Sequence, residues 1–162
     1  MRIWKIVEES QLVFQGGHFG SIDCIRHINQ EHFISGADDG SVCLWSNKKK
    51  KPLVTYRNAH LKQQSSSSWI TSVAALKNSD LVATGSCDGH VKIWRCEEKF
   101  INLKLLFSIK IDGFINDLRF SSQGNRLVVG VGQEHKLGRW WCQKNVKNAV
   151  WIVSLNGEKV EQ

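Results

Sequence analysis

The chain has 162 residues, a formal net charge of +7 and a pI near 9.3. That length can bury a single-domain core, and the positive balance favours polyanionic partners without naming one. Five scattered cysteines (Cys24, Cys43, Cys87, Cys96, Cys142) with no C-x-x-C pair argue against a disulfide framework, and neither a signal peptide nor an apolar run of membrane-spanning length is present.

The expectation is therefore a protein of the cytosol or nucleus with no membrane partner. In chain order, residues 1–15 read as two strands, Arg2–Ile6 and Leu12–Phe14, the outer half of an incomplete unit. Residues 16–57 open on Gly17-His18 and carry strands near Ser21–Ile25, Phe33–Ser35, Ser41–Trp45 and Leu53–Tyr56. Residues 58–110 open on Ala59-His60, include a polar insert at 61–68, and continue with strands near Trp69–Ala75, Leu81–Gly85, Val91–Trp94 and Lys104–Ile109. A third unit, 111–155, reads as strands near Phe114–Phe120, Arg126–Val131, Leu137–Trp141 and Ala149–Leu155, followed by a polar tail at 156–162. Apolar residues recur at a spacing of two throughout, so no helix is expected.

Two stretches repeat. Ile34-Ser35-Gly36-Ala37-Asp38-Asp39-Gly40-Ser41-Val42-Cys43-Leu44-Trp45 matches Val82-Ala83-Thr84-Gly85-Ser86-Cys87-Asp88-Gly89-His90-Val91-Lys92-Ile93-Trp94. In both, a hydroxyl residue stands ten positions before a Trp and an Asp six before it. A period of about 40–50 residues with this grammar marks a propeller blade and resembles the WD40 repeat. The fold class expected is all-β: a WD40 β-propeller fragment with three full four-stranded blades plus the outer two strands of a preceding blade. A C-terminal part of a larger ring is the reading preferred over a short propeller that closes by dimerisation.

The resemblance implies a hydrogen-bonded chain inside each blade, built from His18, Ser35, Asp39 and Trp45 in one and His60, Thr84, Asp88 and Trp94 in the next. Physical chemistry asks for the same thing, because a buried Trp N–H or hydroxyl without a partner costs about 1–3 kcal/mol. The third unit has Val131 and His135 where that set would fall. It must rely on packing by Phe114, Leu118, Phe120, Leu127, Val129 and Trp141.

The non-repeated segments are more specific. Glu9–Phe14, Gly20–Ile25, Ser35–Val42, Ser72–Leu76, Asp80–Ser86, Gly113–Asn116 and above all Gly130-Val131-Gly132-Gln133-Glu134-His135-Lys136-Leu137-Gly138-Arg139-Trp140-Trp141 resemble the WD40-repeat proteins of the U3 small nucleolar ribonucleoprotein. That resemblance implies a nucleolar protein that binds the box B/C region of U3 small nucleolar RNA. Its company would be box C/D core proteins and other small-subunit processome proteins, and its purpose pre-rRNA processing, with no cofactor. A different class, the general WD40 protein–protein adaptor, is the alternative. No nucleophile with its base, carboxylate pair, metal-ligand cluster or phosphate loop is legible, so no enzyme is expected.

Candidate contacts follow from the strand order. Lys48, Lys49, Lys50 and Lys51 fall between the third and fourth strands of one unit, Arg95 and Lys99 between those of the next, and Lys144 and Lys147 between those of the last. These three loops are expected on one rim, a phosphate track whose binding would be salt-sensitive; a merely solvated loop and a targeting signal are the alternative readings of the lysine run. Gln133, His135 and Lys136 stand where the other units have Asp-Gly, and Arg139 precedes two Trp residues expected to enter the blade and its neighbour.

Overall fold

The computed structural model describes residues 1–60 and 68–155. Most of the polar insert read at 61–68, and the tail at 156–162, lie outside the described residues. Every regular element among those described is a strand. Strands β1 (Arg2–Lys5) and β2 (Ser10–Val13) form an antiparallel pair. Strands β3 (Ile22–His27), β4 (His32–Ala37), β5 (Val42–Ser46) and β6 (Val54–Tyr56) form a four-stranded meander. So do β7 (Ser72–Ala75), β8 (Leu81–Gly85), β9 (His90–Glu97) and β10 (Asn102–Lys110).

The third blade departs from the expected four strands. Its sheet is β11 (Phe114–Phe120), β12 (Arg126–Gly132) and β15 (Ala149–Ser154), in the order β11-β12-β15. The segment expected as its third strand instead forms β14 (Gly138–Cys142), paired with the short β13 (Glu134–His135) in a separate hairpin. Two causes are visible. Ala-Val-Trp-Ile-Val-Ser is a stronger strand former than Gly-Arg-Trp-Trp-Cys and takes the place beside β12. The hairpin is also tied off at its base, where Gln143 N–H donates to the Gln133 carbonyl (2.8 Å) and Gln133 N–H to Asn148 Oδ1 (2.8 Å).

The core lies between blades. With a side-chain period of two, Val42 and Leu44 of β5 face the second blade, while Cys43 and Trp45 face the β1–β2 pair. Likewise Val82 of β8 faces back to the first blade and Ala83 forward to the third. Both faces of the middle strands are thus covered, which explains their nearly unbroken apolar sequence.

One joint repeats between blades. The Ile70 N–H donates to the Ala37 carbonyl and the Ile115 N–H to the Ser86 carbonyl, both at 3.1 Å. Each isoleucine seats over a glycine of the blade before it. A Cβ on Gly36 would stand 2.4 Å from Ile70 Cγ2, and one on Gly85 2.4 Å from Ile115 Cγ2. The strand register makes Gly130 and Ile22 the corresponding residues at the two sides. A Cβ on Gly130 would meet only Asp117 backbone atoms within 4 Å, and Ile22 is exposed.

Candidate nucleic-acid interface

Inside the second blade, Trp94 Nε1–H donates to Thr84 Oγ1 (2.8 Å), and His60 links Thr84 through Nε2 (2.8 Å) to Asp88 Oδ2 through Nδ1 (2.8 Å). A carboxylate can only accept, so Nδ1 carries the proton, Nε2 accepts from Thr84, and the chain runs in one direction from Trp94 to Asp88. Burial holds the His60 pKa below its ordinary value against the opposing pull of Asp88, and the neutral ring fits that direction. Burial pushes Asp88 up, but the hydrogen bonds from His60 and the His90 N–H, with the nearby Lys92 charge, outweigh it and leave the carboxyl below its ordinary range.

The first blade does the same with one addition. Trp45 Nε1–H donates to Ser35 Oγ (2.7 Å), which meets His18 Nε2 (2.6 Å). His18 Nδ1 then reaches Ser41 Oγ (2.5 Å), and Ser41 donates to Asp39 Oδ1 (2.5 Å). Ser41 stands between His18 and Asp39, whose direct separation is 3.9 Å. Ser41 is an addition to the four residues expected here. Its signal in the sequence is its place two residues after the Asp, where the second repeat has His90, whose N–H reaches Asp88 as the Ser41 N–H reaches Asp39. These chains brace the turns that open onto one end of the blades.

The basic residues divide between the two ends. Lys48–Lys51 lie on the β5–β6 connection and Lys99 in the β9–β10 turn, both joining third to fourth strands and so on one rim. Lys48 is held by Glu31 (2.6 Å), while Lys49, Lys50 and Lys51 are exposed. Arg95 lies within β9 and pairs with Asp80 (3.4 Å).

Lys144 and Lys147 are not on that rim. Because β15 is the third strand of its blade, the connection that carries them sits at the opposite end, beside the Asp-Gly turn of the second blade. There Gln143 Nε2 donates to the Cys87 carbonyl (3.4 Å).

The β13–β14 hairpin gathers the remaining candidates at that opposite end. Asn116 clamps it from β11, donating to the Glu134 carbonyl (2.9 Å) and accepting from the Lys136 N–H (3.1 Å). Lys136 extends its ammonium to the Thr71 carbonyl of the second blade. Arg139 is exposed and pairs loosely with Glu134 (3.4 Å). A cavity of about 480 Å³ lies among Asn116, Gln133, Lys136, Arg139 and Asn148.

His135 is buried, and burial keeps its pKa low. Its Nδ1 accepts from the Leu137 N–H (3.1 Å), so Nε2 bears the proton and has no hydrogen-bond partner among the described residues. The ring stacks on Trp69 (4.4 Å, 22°) and lies nearly parallel to Trp140 (6.1 Å, 30°). Neither Trp140 nor Trp141 enters a blade, contrary to expectation. Trp141 meets Phe114 edge to face (5.1 Å) while remaining partly open, and Trp140 is 67% exposed.

The blade meander, the repeated interblade joint and the Trp–hydroxyl–His chains define a fragment of a WD40 propeller. The family model for the WD domain, G-beta repeat, matches residues 9–46 and 51–95, and the chain belongs to that family. Its relatives are more particular. It is 58% identical over 154 residues to human U3 small nucleolar RNA-interacting protein 2, covering 91% of this chain and 32% of the relative. It is 26% identical over 205 residues to ribosomal RNA-processing protein 9 of Saccharomyces cerevisiae, with 85% of this chain and 36% of the relative covered. The solved structure of the RRP9 WD40 repeats superposes with a TM-score of 0.91 at 57% identity, over 94% of this chain and 47% of that one. The chain thus spans about a third of the length of these curated relatives and about half of the solved chain.

Proposed function

We propose that the chain is a non-enzymatic, RNA-binding part of a U3 small nucleolar ribonucleoprotein subunit. It engages the box B/C region of U3 small nucleolar RNA beside a box C/D core protein, within the nucleolar small-subunit processome, in pre-rRNA processing. The observation that carries this reading is the 58% identity to the human U3 RNA-interacting relative across nearly the whole chain. Supporting it, both ends of the blades present exposed cations: Lys49, Lys50, Lys51 and Lys99 on one, Arg139, Lys144 and Lys147 on the other. Two such ends can hold phosphates of a folded RNA and would make binding salt-dependent.

The test is crosslinking of the tagged chain in cells, followed by sequencing of the attached RNA. Enrichment of U3 RNA at its box B/C stem is expected. RNA at background with a stable set of copurifying proteins would overturn the reading in favour of a protein–protein adaptor.

A further inference from the structure

We infer that Trp140 is a stacking platform for an unpaired nucleobase, an inference that rests on the RNA-binding reading above and assigns it a base-recognition point. Three rings form a cluster, Trp69–His135–Trp140, with centroids 4.4 and 6.1 Å apart and interplanar angles of 22° and 30° between neighbours. Its inner part is fixed, since His135 is only 3% exposed and clamped through the Leu137 N–H. Its outermost ring is Trp140, 67% exposed. That ring lies against its own hairpin at Gly138, where an added Cβ would stand 1.6 Å from a ring carbon. Gly138 is therefore what lets the indole lie down on the backbone, with an open side left to solvent. A ring held this way needs little ordering on binding.

The surroundings select the partner. Lys136, Arg139, Lys144 and Lys147 lie on the same hairpin and the connection that follows it, where Glu134 is the single acidic residue from Gln133 to Asn148, and Asp23 is the acid whose charge reaches His135. An exposed aromatic face amid cations is the chemistry of single-stranded RNA binding, in which a base stacks on the ring and the adjoining phosphates meet Arg and Lys. A duplex keeps its bases stacked on one another and cannot use the platform.

The experiment measures the affinity of the full chain for a labelled oligoadenylate and for a labelled RNA duplex by fluorescence anisotropy across a salt series. Trp140→Ala is expected to weaken oligoadenylate binding roughly 5- to 100-fold. Duplex affinity and the slope of log affinity on log salt should stay as they were, since no charge is removed. Trp140→Phe, which keeps a ring, should restore most of the affinity, and Trp4→Ala, which removes an exposed indole on β1, should change nothing. Oligoadenylate affinity unmoved by Trp140→Ala, or an equal loss on duplex and single strand, overturns the platform and leaves the RNA reading standing. A wild-type chain that binds neither RNA overturns both.

Discussion

Thr84→Val tests the buried chain of the second blade most directly. Valine has nearly the same shape as threonine, so no cavity opens, and the hydroxyl is all that is removed. That hydroxyl serves two groups at once, accepting from Trp94 Nε1 and donating to His60 Nε2, each at 2.8 Å. Thr84, Trp94 and His60 are all fully buried, so water cannot replace it. Two orphaned groups at about 1–3 kcal/mol each give an expected loss of about 2–6 kcal/mol. At roughly 2–4 °C per kcal/mol for a chain of this size, Tm should fall by at least about 4 °C. Urea unfolding followed by tryptophan fluorescence measures the change, and a double-mutant cycle with Trp94→Phe tests its cause. In the Thr84→Val background the indole N–H is already unpaired, so removing it should cost less than in the wild type. A loss below about 0.5 kcal/mol, or additive effects in the cycle, would refute the account.

Further outcomes follow from the same geometry. Gly85→Ala forces a methyl to within 2.4 Å of Ile115 and should cost about 1–3 kcal/mol, whereas Gly130→Ala, with only backbone within 4 Å, should cost less; urea midpoints compare them. Burial depresses the His18 and His60 pKa values in the folded chain, so the unfolded chain binds more protons as acid is added. Stability should be full above the ordinary value of 6.5 and fall as pH drops below it, and a urea midpoint unchanged between about pH 7.5 and pH 5.5 would contradict this. Replacing Lys49, Lys50 and Lys51 with alanine should leave stability unchanged. It should flatten the salt dependence of RNA affinity by about 0.7 in log–log slope for each phosphate that is no longer neutralised, and an unaltered slope would mean that these lysines are merely solvated.

What the sequence makes legible is whatever repeats. The Trp, hydroxyl, His and Asp positions recur at fixed intervals because each must meet the others across neighbouring strands of one sheet. The third blade departs from its expected form where the frame of the other two is imposed on it. Counting from the Trp140-Trp141 pair assigns Leu137–Trp141 to the sheet, although the run Ala149–Ser154 has more β-branched residues and takes that place beside β12. That exchange carries Lys144 and Lys147 to the other end, since a strand's ordinal position decides at which end its leading loop lies. Trp140 is hidden from the sequence for the same reason. In a blade strand it would be buried, and only the hairpin shows its face.

The seat of isoleucine over glycine also says how such a molecule measures itself. Gly36 with Ile70 and Gly85 with Ile115 fix the angle at which one blade follows the next, and nothing in either pair refers to how many blades there are. Curvature is written locally, step by step, as in an arch whose stones are all cut to one taper. Gly130 and Ile22 are the same two cuts in the register, on the sides of the third and first blades that face away from the second. The size of the circle is then a sum of small wedges, and a change to one wedge, a methyl on Gly85 for instance, would be felt as a change in the span of the whole.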